Sequence, residues 1–130
     1  MRYGILLIAI LFSLSSCAPT HKVRVQYRSL DVEAFEKYIA RENVLLVDVR
    51  TAEEHSAGYI EGTMLQIDVK KSDFDSLAVA HIKKASTVAL YCRSGKRSKR
   101  AASALTAKGY QVIELASGYN GWVQAGKEVE

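Results

Sequence analysis

One apolar run constrains this chain more than any other feature. Val44-Leu45-Leu46-Val47 has no polar–apolar alternation. A strand that is apolar on both sides must be covered on both faces, as in a parallel sheet flanked by helices. Thr87-Val88-Ala89-Leu90-Tyr91 is a second apolar strand, and Gln111–Leu115 reads as another. Val23–Tyr27 alternates and suits a half-exposed strand, while Met64–Ile67 is a weaker candidate. Helical signals fall between these runs. Asp31 stands as an N-cap, with Leu30 and Phe35 placed for a hydrophobic staple, and Phe35, Tyr38 and Ile39 form a helical face. Ser72-x-x-Asp75 has the form of a capping box, opening a helix with Phe74, Leu77, Ala78, His81 and Ile82 on one side. Residues 98–108 read as a helix closed by Gly109. Ser117–Gly121 reads as a turn, with a short final helix from Trp122. Strands alternating with helices imply an α/β domain with a mainly parallel sheet.

Length and composition narrow the rest. The chain has 130 residues, enough for one ordinary domain, and 48% of them are hydrophobic. One proline, eight glycines and no repeat exclude a disordered or collagen-like chain. Cys17 and Cys92 are the two cysteines, too few for a disulfide scaffold or a four-cysteine zinc site. His21 and His81 lack metal-ligand spacing, so no metal is expected. A net charge of +4 is only mildly basic and does not argue for nucleic acid.

The N-terminus reads as an address. Met1-Arg2-Tyr3 leads into an apolar stretch from Gly4 to Phe12, followed by Ser13-Leu14-Ser15-Ser16-Cys17. A basic start, a short apolar core and small residues before a break make a secretory signal peptide over residues 1–16. The apolar run is too short for a spanning helix, which needs roughly 20 residues. Leu14-Ser15-Ser16-Cys17 resembles the lipobox of bacterial lipoproteins. That resemblance implies cleavage before Cys17, lipid on its sulfur and an acylated amino group, with several acyl chains giving stable membrane anchoring. Residues 17–25 would then be the lipidated cysteine and tether, and 26–127 the domain. A plain secreted protein is the alternative. Ala18 lacks the Asp that marks inner-membrane retention in some bacteria, which leans towards the outer membrane facing the periplasm. Lipidation leaves Cys92 as the one thiol in an oxidising compartment, and an unpaired thiol there calls for a chemical explanation.

Cys92 ends an apolar strand and opens Cys92-Arg93-Ser94-Gly95-Lys96-Arg97 before a helix. In open α/β sheets, chemistry gathers where strands end and helices begin. A loop entering a helix N-terminus can turn its N–H groups inward, and that nest binds anions and favours thiolate. Arg93, Lys96 and Arg97 would strengthen the field, and Gly95 would permit the tight backbone. Residues 92–97 therefore read as a nucleophilic thiolate in an anion cradle, the bland alternative being a small buried hydrophobe. Lys99 and Arg100 lie past the loop and read as a solvated helix face.

Asp48-Val49-Arg50 after a strand, Glu54, and Gly58-Tyr59-Ile60-x-Gly62-Thr63 resemble the rhodanese-like family. Cys92–Ser98 resembles its active-site loop, and Gly109-Tyr110-x-Val112 with Gly118-Tyr119-x-Gly121-Trp122 resembles its C-terminal signature. The resemblance implies one rhodanese-like α/β domain, with about five strands and helices on both faces of the sheet. It also implies a sulfurtransferase. Cys92 would take sulfur from an anionic donor such as thiosulfate, become a persulfide, and pass the sulfur to a thiol or cyanide-like acceptor without any cofactor. Arg93, Ser94, Gly95, Lys96 and Arg97 would hold the donor, with Asp48, Arg50 and Ser98 in support. For Asp48 and Arg50 a purely structural ion pair stays open as an alternative. The sequence departs from the family at His55, Tyr59, Thr63 and Ser117. His55 reads as a packing residue, since nothing in the sequence links it to Cys92. Two other functions compete: a persulfide carrier or redox-sensing module, and a cysteine phosphatase or arsenate reductase. The latter families keep five residues between Cys and Arg, against four here, so this cradle is narrower.

Overall fold

The structure is a computed structural model that describes residues 16–18 and 26–130. The signal segment before Ser16, and tether residues 19–25, lie outside the described residues. Cys17 is exposed and not disulfide-bonded. Among the described residues, no helix is long and apolar enough to cross a membrane.

Ten elements follow in order: β1 (Arg28–Leu30), α1 (Val32–Ile39), β2 (Val44–Asp48), α2 (Ala52–Ser56), β3 (Leu65–Gln66), α3 (Phe74–His81), β4 (Thr87–Tyr91), α4 (Lys96–Ala107), β5 (Gln111–Leu115) and α5 (Gly118–Gln124). The five strands form one sheet in the order β1-β5-β4-β2-β3, and every pairing is parallel. The unbroken apolar runs occupy the centre, as double-sided burial requires. Alternate residues feed two separate cores. Val47, Leu90 and Val112 pack with Phe74 and Ala78 of α3 and Ala101 and Leu105 of α4. Leu46, Ala89, Tyr91 and Ile113 pack on the other face with Phe35 of α1 and Trp122 of α5.

Local side-chain caps start two of the five helices, α1 and α2. The Asp31 carboxylate accepts from the Ala34 amide at 2.8 Å, and Leu30 and Phe35 are buried together as the staple requires. Five local expectations need correction. The first strand is Arg28–Leu30; Val23–Val25 lie outside the described residues, and Gln26 and Tyr27 are not in a strand. Ser72 and Asp75 form no capping box. Helix α3 starts at Phe74 behind Asp73, with no side-chain cap bond, because that start drives Phe74 into the core. His81 is exposed rather than on the buried side. A capping box does form at Thr51 and Glu54, at the start of α2. Helix α4 begins two residues earlier than expected, at Lys96, and α5 four residues earlier, at Gly118.

Candidate active site

The early starts of α4 and α5 build the site. Gly95 precedes α4 with φ of 95°, in the left-handed region. A Cβ there would collide with the Ala116 carbonyl oxygen, so only glycine fits the bend. The bend aims the Gly95 amide at Cys92, donating to Sγ at 3.1 Å. Behind the loop, the α5 amides of Tyr119 and Asn120 donate to the carbonyls of Cys92 (2.7 Å) and Arg93 (3.0 Å). Gly118 makes this possible: its φ is 64°, and a side chain there would overlap the Cys92 and Arg93 carbonyls. The loop is thus gripped from both sides before any substrate arrives.

Cys92 is 1% exposed. Burial alone would push its thiol up. The Ser98 hydroxyl, lying 3.5 Å from Sγ, and the amides of Ser98, Ser94 and Gly95 outweigh burial and hold the thiol below its ordinary range. The amides form the inward-facing nest expected at a helix N-terminus.

The basic side chains behave differently from expectation. Arg97 makes a bidentate pair with Glu54, at 2.7 Å from Nη1 and 2.7 Å from Nη2. Arg93 Nε lies 3.3 Å from the same carboxylate. Two of the three cations meant to strengthen the field are therefore largely neutralised by Glu54. The hydrogen bonds from Arg97 draw the Glu54 carboxyl down to about 2. Lys96 and Ser94 are exposed at the rim. The cradle rests on backbone amides rather than on side-chain charge.

Asp48 and Arg50 form a buried ion pair, Nη2 to Oδ2 at 2.7 Å. Arg50 also donates to the Gly58 carbonyl at 2.7 Å, and its guanidinium lies 4.3 Å from the Tyr119 ring centroid. The pair is therefore both structural and organising: it ties the turn after α2 to α5, which backs the Cys92 loop. His55 joins the same cluster, with Nδ1 3.0 Å from Asp48 Oδ2 and its ring stacked on Tyr59 at 4.3 Å. A cleft of about 290 Å³ opens beside the loop, lined by Arg50, Glu54, Gly58, Arg93, Tyr119 and Asn120.

Sequence reasoning missed one residue. Glu114 on β5 is fully buried, and its Oε2 accepts from the Ser98 hydroxyl at 2.8 Å. A charged residue inside an apolar strand was the available signal, since an unpaired buried carboxylate is too costly to persist. Among the described residues, no group of three or more His, Cys, Asp or Glu side chains is placed to hold a metal.

The central strand of this parallel α/β domain therefore ends on an amide-cradled thiol. Comparison with known proteins identifies its kind. The rhodanese-like domain profile matches residues 31–125, and the chain belongs to that family. A curated relative from Allochromatium vinosum, named a sulfurtransferase, is 35% identical over 99 residues, covering 75% of this chain and 89% of its own. The fold is shared with a rhodanese-related protein of Thermoplasma volcanium (TM-score 0.70, 23% identity, 80% of this chain and 98% of that one). It is shared equally with a rhodanese-like domain from Anabaena (TM-score 0.70, 20% identity, 81% and 80%). Family membership and the curated relative together support a sulfurtransferase-type role.

Proposed function

We propose that the protein moves sulfane sulfur through a persulfide on Cys92, from an anionic donor such as thiosulfate to a thiophilic acceptor. The observation that carries this reading is the Gly95 amide held 3.1 Å from Sγ, in a nest that favours negative charge on sulfur. The Cys92 thiolate attacks the outer sulfur of thiosulfate. A new S–S bond forms, the S–S bond of the donor breaks, and its electron pair leaves on sulfite. The persulfide anion inherits the thiolate's charge. A nucleophilic acceptor, a thiolate or cyanide, then attacks the outer sulfur and returns the electron pair to Cys92. Splitting the transfer in two is covalent catalysis, and the amides stabilise anionic sulfur in both halves.

The ion pair of Arg97 with Glu54 favours this reading over a cysteine phosphatase. It occupies the side chain that would otherwise grip a tetrahedral oxyanion. Anaerobic incubation with thiosulfate, followed by intact-mass measurement, tests the assignment. One added sulfur on Cys92 supports it, and an unchanged mass rejects it. Cyanide added afterwards separates turnover, in which the mass returns, from a carrier that keeps its sulfur.

The proposal extends to place. The lipobox-like Leu14-Ser15-Ser16-Cys17 supports a lipid anchor on Cys17 that holds the domain at a bacterial membrane, on the periplasmic face of the outer membrane. Mass spectrometry of membrane-purified protein would find an acylated N-terminal cysteine; a product retaining Met1 would exclude export.

A further inference from the structure

Ser98 has one hydroxyl proton and more acceptors than it can serve. Its Oγ lies 2.8 Å from Glu114 Oε2, 3.1 Å from the Gly95 carbonyl and 3.5 Å from Cys92 Sγ. The contact with the carboxylate is the shortest, and a hydrogen bond to an ionised acceptor is the strongest kind available here. Glu114 is anchored for this role. Ser29 of β1 donates to Oε1, and Lys99 of α4 lies 3.1 Å from the same oxygen. Lys99 also donates to the Gly95 carbonyl at 3.3 Å, which joins the carboxylate's counter-charge to the loop that holds the sulfur.

We propose that Glu114 sets the proton affinity of Cys92 by competing with its sulfur for the Ser98 hydroxyl proton. Glu114 is a positioning residue, and it acts through Ser98. While that proton is drawn towards Glu114, the Ser98 hydroxyl gives the thiolate only part of the hydrogen-bond support it could offer. To stabilise the thiolate, Ser98 must turn its proton from one anion to the other. The competition exists only in the empty protein. Once Cys92 carries a second sulfur, the inner sulfur is uncharged and Ser98 stays with Glu114. Glu114 thus favours the loaded form over the empty thiolate. A thiolate of higher proton affinity is also the better nucleophile and the poorer leaving group.

The other charges around the sulfur are accounted for. Arg97 of α4 feels the Cys92 charge but is paired with Glu54 of α2, as is Arg93. Asp48 of β2 is compensated by Arg50, Lys96 is exposed at the rim, and the β1 contact, Ser29, is uncharged. Glu114 is the buried anion joined to the sulfur through one shared hydroxyl.

The inference rests on Cys92 being the nucleophile, and its test needs no sulfur donor. Iodoacetamide labelling of Cys92 in the full chain, read by peptide mass spectrometry, gives the thiolate profile across about pH 5 to 10. Glu114→Gln keeps the side-chain shape and removes the competing charge, so the profile moves down by about one pH unit. Its rates cross those of the wild type. The variant labels about threefold faster in acid, where it has more thiolate, and about threefold slower in alkali, where its thiolate is less nucleophilic. Lys99→Met, at a side chain that is 43% exposed, removes the cation that restrains Glu114, so the profile moves up. Both shifts shrink in a Ser98→Ala background. If Glu114→Gln does not fold, Lys99→Met alone and in the Ser98→Ala background carries the test. Profiles that match the wild type, or an upward shift in Glu114→Gln, overturn the proposal. A wild type whose Cys92 resists labelling at every pH overturns the nucleophile reading and this inference with it.

Discussion

Glu54 and Glu114 hold the same loop under different conditions. The Glu54 side chain is 17% exposed and its loop partners are the guanidinium groups of Arg93 and Arg97. Glu114 is fully buried and takes two hydroxyls and one lysine. Near water, charge pairs are screened, and their main effect is to fix position. In the interior, one hydroxyl proton shared between two anions changes chemistry. The rim therefore holds the loop in place, while the interior sets the state of the sulfur. This division explains why a loop rich in cations does not depend on them: the charge is consumed at the rim, and the sulfur is addressed by amides.

The largest expected effect strikes the interior. Cys92→Ser should abolish sulfur loading, with at least a 10³-fold loss of thiosulfate:cyanide transfer as an order-of-magnitude bound on removing a nucleophile. The variant should still fold, since serine keeps the small volume and can accept from Gly95. Intact mass after thiosulfate and a thermal melt check the two halves. Transfer that persists would break the comparison at its centre.

Glu54→Gln probes the rim. It removes the anion that Arg97 and Arg93 share, while the Gln oxygen can still accept from the Thr51 amide in the α2 capping box. A loss of about 1 kcal/mol in stability at neutral pH is expected from the partly exposed pair. The pH dependence has a definite sign. Folding draws the Glu54 carboxyl from 4.5 to about 2, so its contribution is complete above the unfolded value. It declines as pH falls through the window between those values and is absent below the folded one. Denaturant melts of wild type and variant should therefore converge in acid. The Cys92 labelling profile should move less than in Glu114→Gln, and an equal shift would erase the distinction between rim and interior.

The fold was legible because its signals are local. Apolar runs, an N-cap at Asp31 and the thiol at a strand end are all written in consecutive residues. What was hidden depends on distance. The starts of α4 and α5 are fixed by tertiary contacts, Gly95 against Ala116 and Gly118 against Cys92 and Arg93, which no spacing rule describes. Ser117–Gly121 has the composition of a turn, yet amide bonds to the Cys92 and Arg93 carbonyls draw it into a helix. Glu54 lies 43 residues before the arginine that it neutralises, so the loop's cations looked free. Glu114 is joined to Ser29 across 85 residues, so its one local signal, a charge inside an apolar strand, does not reveal the partners that keep it there.

The smallest effect tests the part of the rim that keeps its charge. Lys96 opens α4, is exposed, and forms no salt bridge among the described residues. Its contribution to an anionic donor is therefore long-range field, which salt screens over roughly 10 Å at 0.1 M. Lys96→Ala should raise the apparent KM for thiosulfate by about two- to threefold at low salt. Maximal rate, melting temperature and the Cys92 labelling profile should hardly move. The difference should fade by about 0.5 M salt, where the screening length is shorter than the distance from the lysine to the donor. A change in maximal rate, or a KM effect that survives high salt, would mean that Lys96 touches the donor directly. The division would then be drawn in the wrong place, with the rim taking part in the chemistry as well as holding the loop.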